Sequence, residues 1–131
     1  MKSLQFVILV SALCITMLCN AGQEVKQLSQ TQVLSLLNAP KAEPFVILDV
    51  RSPEEFAQGH IKGALNISHD QIAQQLNQLE QYKDTIVVVH CRSGRRAQVA
   101  ESVLLANGFS KLHHLTGDYN GWVAADLPLV K

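Results

Sequence analysis

The sequence predicts an α/β domain with a mostly parallel central sheet and helices on both faces. Three observations predict it. Phe45-Val46-Ile47-Leu48 and Ile86-Val87-Val88-Val89 are continuous apolar runs, the pattern of strands buried on both faces. Segments with helical spacing alternate with strand-like segments along the chain. Each apolar run ends in a polar loop that opens a helix: Asp49-Val50-Arg51-Ser52-Pro53 after the first, Cys91-Arg92-Ser93-Gly94-Arg95-Arg96 after the second. Such sheets bind ligands beyond the carboxyl ends of their strands, so both loops fall on the edge where a site is expected.

The elements follow in order. Gln23 to Leu28 reads as a short extended lead-in. Ser29-Gln30-Thr31-Gln32 has the Ser-x-x-Gln form of a capping box, and Val33, Leu34, Leu36 and Leu37 continue at helical spacing. Pro40 and Pro44 end that helix, and the first apolar run follows. Ser52-Pro53-Glu54-Glu55 supplies an N-cap serine, a proline at the first helical position and a glutamate three residues after the cap. This short helix stops near Gly59. Leu65-Asn66-Ile67 is a brief strand. His69 to Leu79 reads as amphipathic, with Ile72, Leu76 and Leu79 on one face. Thr85 to His90 is the second strong strand. Ala97, Ala100, Val103 and Leu104 form one face of the next helix, which Gly108 ends at a natural C′ position. Lys111 to Leu115 is a third strand, and Gly117 to Trp122 starts a last short helix or turn.

The N-terminus differs from the rest. Lys2 is the only charge before Gly22, Phe6 to Leu18 is apolar apart from small polar residues, and Cys19-Asn20-Ala21 offers small residues at the −3 and −1 positions of a cleavage site. That order reads as a secretory signal peptide over residues 1–21, with a single domain over 22–131 and a periplasmic or otherwise exported protein. The apolar run is short beside the roughly 20 residues of a membrane-spanning helix. Association with a membrane is expected only if the leader stays uncleaved or is lipidated. Cleavage would remove Cys14 and Cys19 and leave Cys91 as the only cysteine. A lone thiol in an oxidising compartment is chemically conspicuous.

Composition bounds the remaining possibilities. The chain has 131 residues, 47% hydrophobic and 17% charged, which fits one ordinary globular domain rather than a disordered segment. The formal net charge of +0 gives no global attraction to nucleic acid or acidic membranes. Basic residues act locally instead, with Arg92, Arg95 and Arg96 in one loop.

That loop carries the chemistry. A cysteine reacts as its thiolate. Three effects favour the thiolate at Cys91: the fixed cations Arg92, Arg95 and Arg96, the N-terminal end of the following helix, and converging backbone N–H groups of a loop containing Ser93 and Gly94. The same cradle suits an oxyanion substrate or a persulfide on Cys91. Read without function, the loop is a turn whose glycine supplies a positive φ and whose arginines face solvent.

At these residues the chain resembles the single-domain rhodaneses, which are sulfurtransferases, and is most similar to the small periplasmic type. The resemblance covers nearly all of the chain beyond the leader. Asp49-Val50-Arg51-Ser52-Pro53-Glu54-Glu55-Phe56, Gly59-His60-Ile61, Gly63-Ala64 and Asn66-Ile67 follow the family's N-terminal signature. Cys91 to Arg96 follows its active-site loop, and Gly117 with Trp122 follows its C-terminal Gly-Gly…Trp element. Two positions depart from the pattern: Asp118 replaces the second glycine of that element, and Ala97 replaces a serine that commonly follows the loop arginine.

The resemblance implies a rhodanese-like fold and a thiosulfate sulfurtransferase. Cys91 would take the outer sulfur of thiosulfate as a persulfide and pass it to cyanide, a small thiol or an acceptor protein thiol. It implies no cofactor and no metal; its substrate-binding residues are Arg92, Ser93, Gly94, Arg95 and Arg96, with Asp49 and Arg51 in support. Two alternatives stay open. A rhodanese-fold phosphatase carries a loop one residue longer than the four residues between Cys91 and Arg96. A non-catalytic binding or persulfide-carrier module often lacks the cysteine.

Other polar residues read as structural. Asp49 is expected to accept hydrogen bonds that fix its loop, Arg51 to pair with Glu55, and His60 to brace its own turn. Strand alternation turns His90 away from the Cys91 face and separates His113 from His114, which argues against a base at 90 and a shared metal at 113–114. Trp122 reads as core or pocket wall.

Overall fold

The structure is a computed structural model and describes residues 24–131. The leader reading, with Cys14 and Cys19, lies outside the described residues. Five strands form one sheet: β1 (Lys26–Leu28), β2 (Phe45–Asp49), β3 (Leu65–Asn66), β4 (Ile86–His90) and β5 (Leu112–Leu115), in the order β1-β5-β4-β2-β3. Every pairing between named strands is parallel. The two apolar runs are central neighbours, in a register that sets Leu48 beside Val89 and Asp49 beside His90. Their last residues therefore finish at one edge, and the loops that follow them meet there.

Among the described residues, five α-helices flank the sheet: α1 (Gln30–Asn38), α2 (Pro53–Gln58), α3 (Leu76–Leu79), α4 (Arg95–Ala106) and α5 (Asp118–Ala124). Strand alternation divides the core in two. Val46, Leu48, Val87 and Val89 pack with Ala97, Ala100 and Leu104 of α4 and with Ile72 and Leu79. Ile47 and Val88 point the other way, toward Val33 of α1 and Trp122 of α5. Helices thus cover both faces, and the two central strands, β2 and β4, are apolar until their last residues, Asp49 and His90.

Both expected capping boxes form. Ser29 accepts from the Gln32 N–H at 3.1 Å while Gln32 accepts from the Ser29 N–H at 2.9 Å. Ser52 and Glu55 make the same exchange at 3.2 and 3.3 Å, with Pro53 in the first turn of α2.

The amphipathic His69–Leu79 segment is not one helix. It breaks into a 3₁₀ turn at His69–Gln71 and the short α3, followed by a second 3₁₀ turn at Glu80–Tyr82. Neither Ser68 nor Gln75 caps its helix with a side chain. Short uncapped helices have little stability of their own. Ile72 and Leu79 still reach the core, so burial of the apolar face is met without helical continuity.

Candidate active site

The Cys91 loop leaves the end of β4 and turns directly into α4. Gly94 makes the turn at φ 120°, a conformation that side chains resist, and becomes the N-cap of the 12-residue helix. Its N–H donates to the Cys91 sulfur at 3.0 Å. Cys91 is 1% exposed, so an anion on its sulfur has little water and depends on donors supplied by the loop. Cys91 is also the free cysteine of the described residues. Arg92, Ser93 and Arg95 are exposed, whereas Gly94 and Arg96 are half-buried.

Arg96 is held in place. Its two terminal nitrogens donate to the two Glu55 carboxylate oxygens at 2.7 and 3.0 Å. This bidentate bond, aided by the Ser52 cap, pulls the Glu55 carboxyl down to about 2. Arg96 itself is pushed above its ordinary value, first by the Glu55 bond, and it also feels the charge of Cys91. The loop cation is therefore oriented near the sulfur by a carboxylate from α2.

Arg51 corrects one expectation. Its partner is Asp49, not the Glu55 carboxylate, which Arg96 occupies. Asp49 accepts from the Arg51 backbone N–H at 3.0 Å and from the guanidinium at 2.6 Å. Arg51 also donates to the Gly59 carbonyl at 2.8 Å and stacks its guanidinium 3.7 Å above the Tyr119 ring. Both members of the pair are buried. Asp49 fixes its loop as expected. Asn66 adds to this by donating to the carbonyls of Asp49 and Arg51 at 3.0 and 3.1 Å. His60 braces its turn through an Nδ1–H bond to the Phe56 carbonyl at 2.9 Å.

His90 faces away from Cys91. Its Nδ1–H donates to the Cys91 carbonyl at 3.0 Å, and its Nε2 has no hydrogen-bond partner. Burial pushes its protonation below the ordinary histidine range, against the pull of Asp49, so the ring is neutral. His113 is turned outward to the Lys111 carbonyl. His114 faces α4, so the two adjacent histidines share no site.

Helix α5 ties itself to the loop from the other side. The N–H groups of Tyr119 and Asn120 donate to the carbonyls of Cys91 and Arg92, both at 3.0 Å. Asp118 accepts from the Cys91 N–H at 3.0 Å and from His114 Nε2–H at 2.9 Å, while His114 Nδ1–H donates to Glu101. Trp122 is core, with its indole N–H on the Pro128 carbonyl at 2.9 Å. A cleft of about 490 Å³ opens beside the loop, lined by Arg51, Glu55, Arg92, Tyr119 and Asn120 among others. Cys91 is not among the residues that line it, in keeping with its burial.

Sequence reasoning identified Asp118 only as a departure, weighed His114 only as a metal ligand and set it aside, and missed Glu101 and Tyr119. One signal was present: Glu101 interrupts the apolar face made by Ala97, Ala100 and Leu104.

With this geometry in place, the comparisons with known proteins are specific. A family model described as a rhodanese-like domain matches residues 29–125. The chain belongs to the rhodanese family. The rhodanese relatives include the thiosulfate sulfurtransferase GlpE of Pseudomonas entomophila, 32% identical over 99 residues that cover 76% of this chain and 85% of that protein. The uncharacterized protein YibN of Escherichia coli K12 is 30% identical over 130 residues, 98% of this chain and 89% of its own. Among solved structures, a full-length protein from Lactobacillus plantarum superposes with a TM-score of 0.71 at 27% identity, covering 80% of this chain and 87% of that one. The rhodanese fold and membership of its sulfurtransferase family follow from the matched domain and these relatives.

Proposed function

We propose that the protein is a sulfurtransferase that carries sulfane sulfur as a Cys91 persulfide, from thiosulfate or a similar donor to cyanide or a thiol. The observation that carries this reading is the Gly94 N–H held 3.0 Å from the Cys91 sulfur. In the first step the thiolate attacks the outer sulfur of thiosulfate. The donor's S–S bond breaks, and sulfite leaves with the bonding electron pair. In the second step the acceptor attacks the outer sulfur of the persulfide, and the Cys91 thiolate is regenerated. No general base is required once the thiolate exists, which agrees with a neutral His90 facing the other side of the sheet. The two steps call for a negative charge on the sulfur, and the Gly94 N–H and the oriented Arg96 suit that charge.

Loop length favours sulfur over phosphate. The four residues between Cys91 and Arg96 make a tighter cradle than the longer loop of cysteine phosphatases, so phosphatase activity is expected to be absent. A non-catalytic binding module is disfavoured by the presence of Cys91 itself. The discriminating experiment compares sulfur transfer from thiosulfate with hydrolysis of an aryl phosphate, wild type against Cys91→Ser. Phosphate release that depends on Cys91, without sulfur uptake, would replace this reading with the phosphatase.

The reading also includes export, on the strength of the basic, apolar and small-residue order of residues 1–21. N-terminal sequencing of protein recovered from cells is expected to begin near Gly22. Retention of Met1 would replace a cleaved leader with an anchor.

A further inference from the structure

Beneath the Cys91 loop lies a buried ionic cluster that the sulfur chemistry does not consume. Glu101 projects from α4, His114 from β5 and Asp118 from the first residue of α5; all three are buried. Asp118 stands at φ 53°, in the left-handed region that favours glycine. A residue held there against its preference marks a place where the surroundings fix the backbone. Here the fixing contacts run to the loop. One Asp118 oxygen accepts the Cys91 N–H at 3.0 Å, and the other accepts His114 Nε2–H at 2.9 Å. A methyl group placed on Gly94 would lie 3.3 Å from that second oxygen and 4.0 Å from His114 Nε2. The carboxylate and imidazole thus form the floor on which Gly94 rests, while the Gly94 N–H reaches the sulfur above.

We propose that Asp118 and His114 are positioning residues for the Cys91 loop. His114, fixed by Glu101, aims the Asp118 carboxylate so that it binds the Cys91 N–H and supports Gly94, which keeps the Gly94 N–H on the sulfur. This rests on Cys91 being the reactive thiol. His114 can donate from both nitrogens only as the imidazolium. Its bonds to Asp118 and then Glu101 push it up to about 10, against burial. The groups that surround the cluster are Glu101 from α4, Asp118 from α5, the neutral His90 at the end of β4 and Cys91 in the loop after it.

The test uses Asp118→Gly, Asp118→Asn and His114→Gln. Glycine accepts φ 53° freely, so Asp118→Gly removes the carboxylate without forcing the backbone to move. Amide hydrogen exchange at Cys91 and Gly94, read by NMR with Val88 as internal control, needs no sulfur donor. The expected result is about tenfold or more faster exchange at Cys91 and Gly94 in Asp118→Gly, with Val88 unchanged, corresponding to about 1.4 kcal/mol of local protection. Asp118→Asn keeps an acceptor oxygen and is expected to restore Cys91 protection; His114→Gln should fall between. The His114 ring nitrogens of the wild type should report an imidazolium at neutral pH and titrate near 10. Wild-type exchange at Cys91 and Gly94 in Asp118→Gly, a loss spread evenly through β4, or a His114 titration near 6.5 would each overturn the proposal. Single-turnover sulfur uptake by the same variants should fall with the exchange change. Absence of uptake in the wild type would instead sink the sulfurtransferase reading and leave the exchange result standing.

Discussion

Arg96, at the end of the Cys91 loop, is anchored by a carboxylate from another element. Glu55 holds the Arg96 guanidinium through two bonds at 2.7 and 3.0 Å, so the cation is oriented before any substrate arrives. Arg96→Ala is therefore expected to lower kcat/KM for thiosulfate by about tenfold or more, the scale of one charge-assisted hydrogen bond. Lys111→Ala, just before β5 at the opposite end of the strands from the Cys91 loop, is expected to leave it unchanged. Steady-state kinetics showing equal losses would count against Arg96 as an anion contact. At this scale the sequence was readable wherever a residue's chemistry is local. Cys91, the arginines and Gly94 announce themselves by clustering. Arg51 was legible as a paired cation, but its partner was not, because Asp49 and Glu55 are both within reach along the chain. Only the fold reveals that Arg96 claims Glu55 from 41 positions away.

At the scale of elements, the site is made by three connections converging on one sheet edge. β2 feeds the Asp49–Arg51 turn into α2, β4 feeds the Cys91 loop into α4, and β5 feeds Gly117–Asp118 into α5. Local signals state most of this. The two Ser-x-x-Glu/Gln boxes begin α1 and α2 where they should, and the apolar runs become the two central strands. Ser52→Ala removes the α2 cap and is expected to cost about 1 kcal/mol; it should also loosen the Glu55 support of Arg96, visible as a raised KM for thiosulfate. Gly94→Ala meets Asp118 at 3.3 Å with φ at 120°, and is expected to destabilise the fold by more than about 1 kcal/mol in urea unfolding. The segment His69–Leu79 was less legible. Its apolar spacing satisfies the core, but spacing alone says nothing about missing caps, and those decide whether a short helix persists.

For the whole molecule, two buried ionic centres join the helical layers to the sheet. Asp49–Arg51 links β2 to the Gly59 turn and to Tyr119 of α5. Asp49→Ala would leave Arg51 buried and unpaired, and is expected to cost about 3–5 kcal/mol in chemical unfolding. The titrating groups give the pH profile. His114 sits above its unfolded value of 6.5, at about 10, so its contribution is complete below 6.5 and lost as pH rises toward 10. His90 is depressed by burial, so stability falls as pH drops below 6.5 and the unfolded ring takes up a proton. Glu55, lowered from 4.5 to about 2, adds a loss as pH falls through that window, kept below about 1 kcal/mol by solvent screening. Thermal stability is expected to peak near pH 6.5 and decline toward alkaline pH, with a flatter alkaline side in His114→Gln. A wild-type melting temperature constant from neutral to strongly alkaline pH would contradict the ionic cluster. This layer of the structure was the least legible in sequence. Glu101, His114 and Asp118 come from three separate elements, and only the packing of α4 on β5 unites them.

The most direct measurement is the intact mass of the protein after incubation with thiosulfate. The wild type is expected to gain one sulfur atom, to lose it on addition of cyanide, and to show no gain in Cys91→Ala. Sulfur uptake that persists in Cys91→Ala, or a wild type that takes up none, would contradict Cys91 as the sulfur carrier.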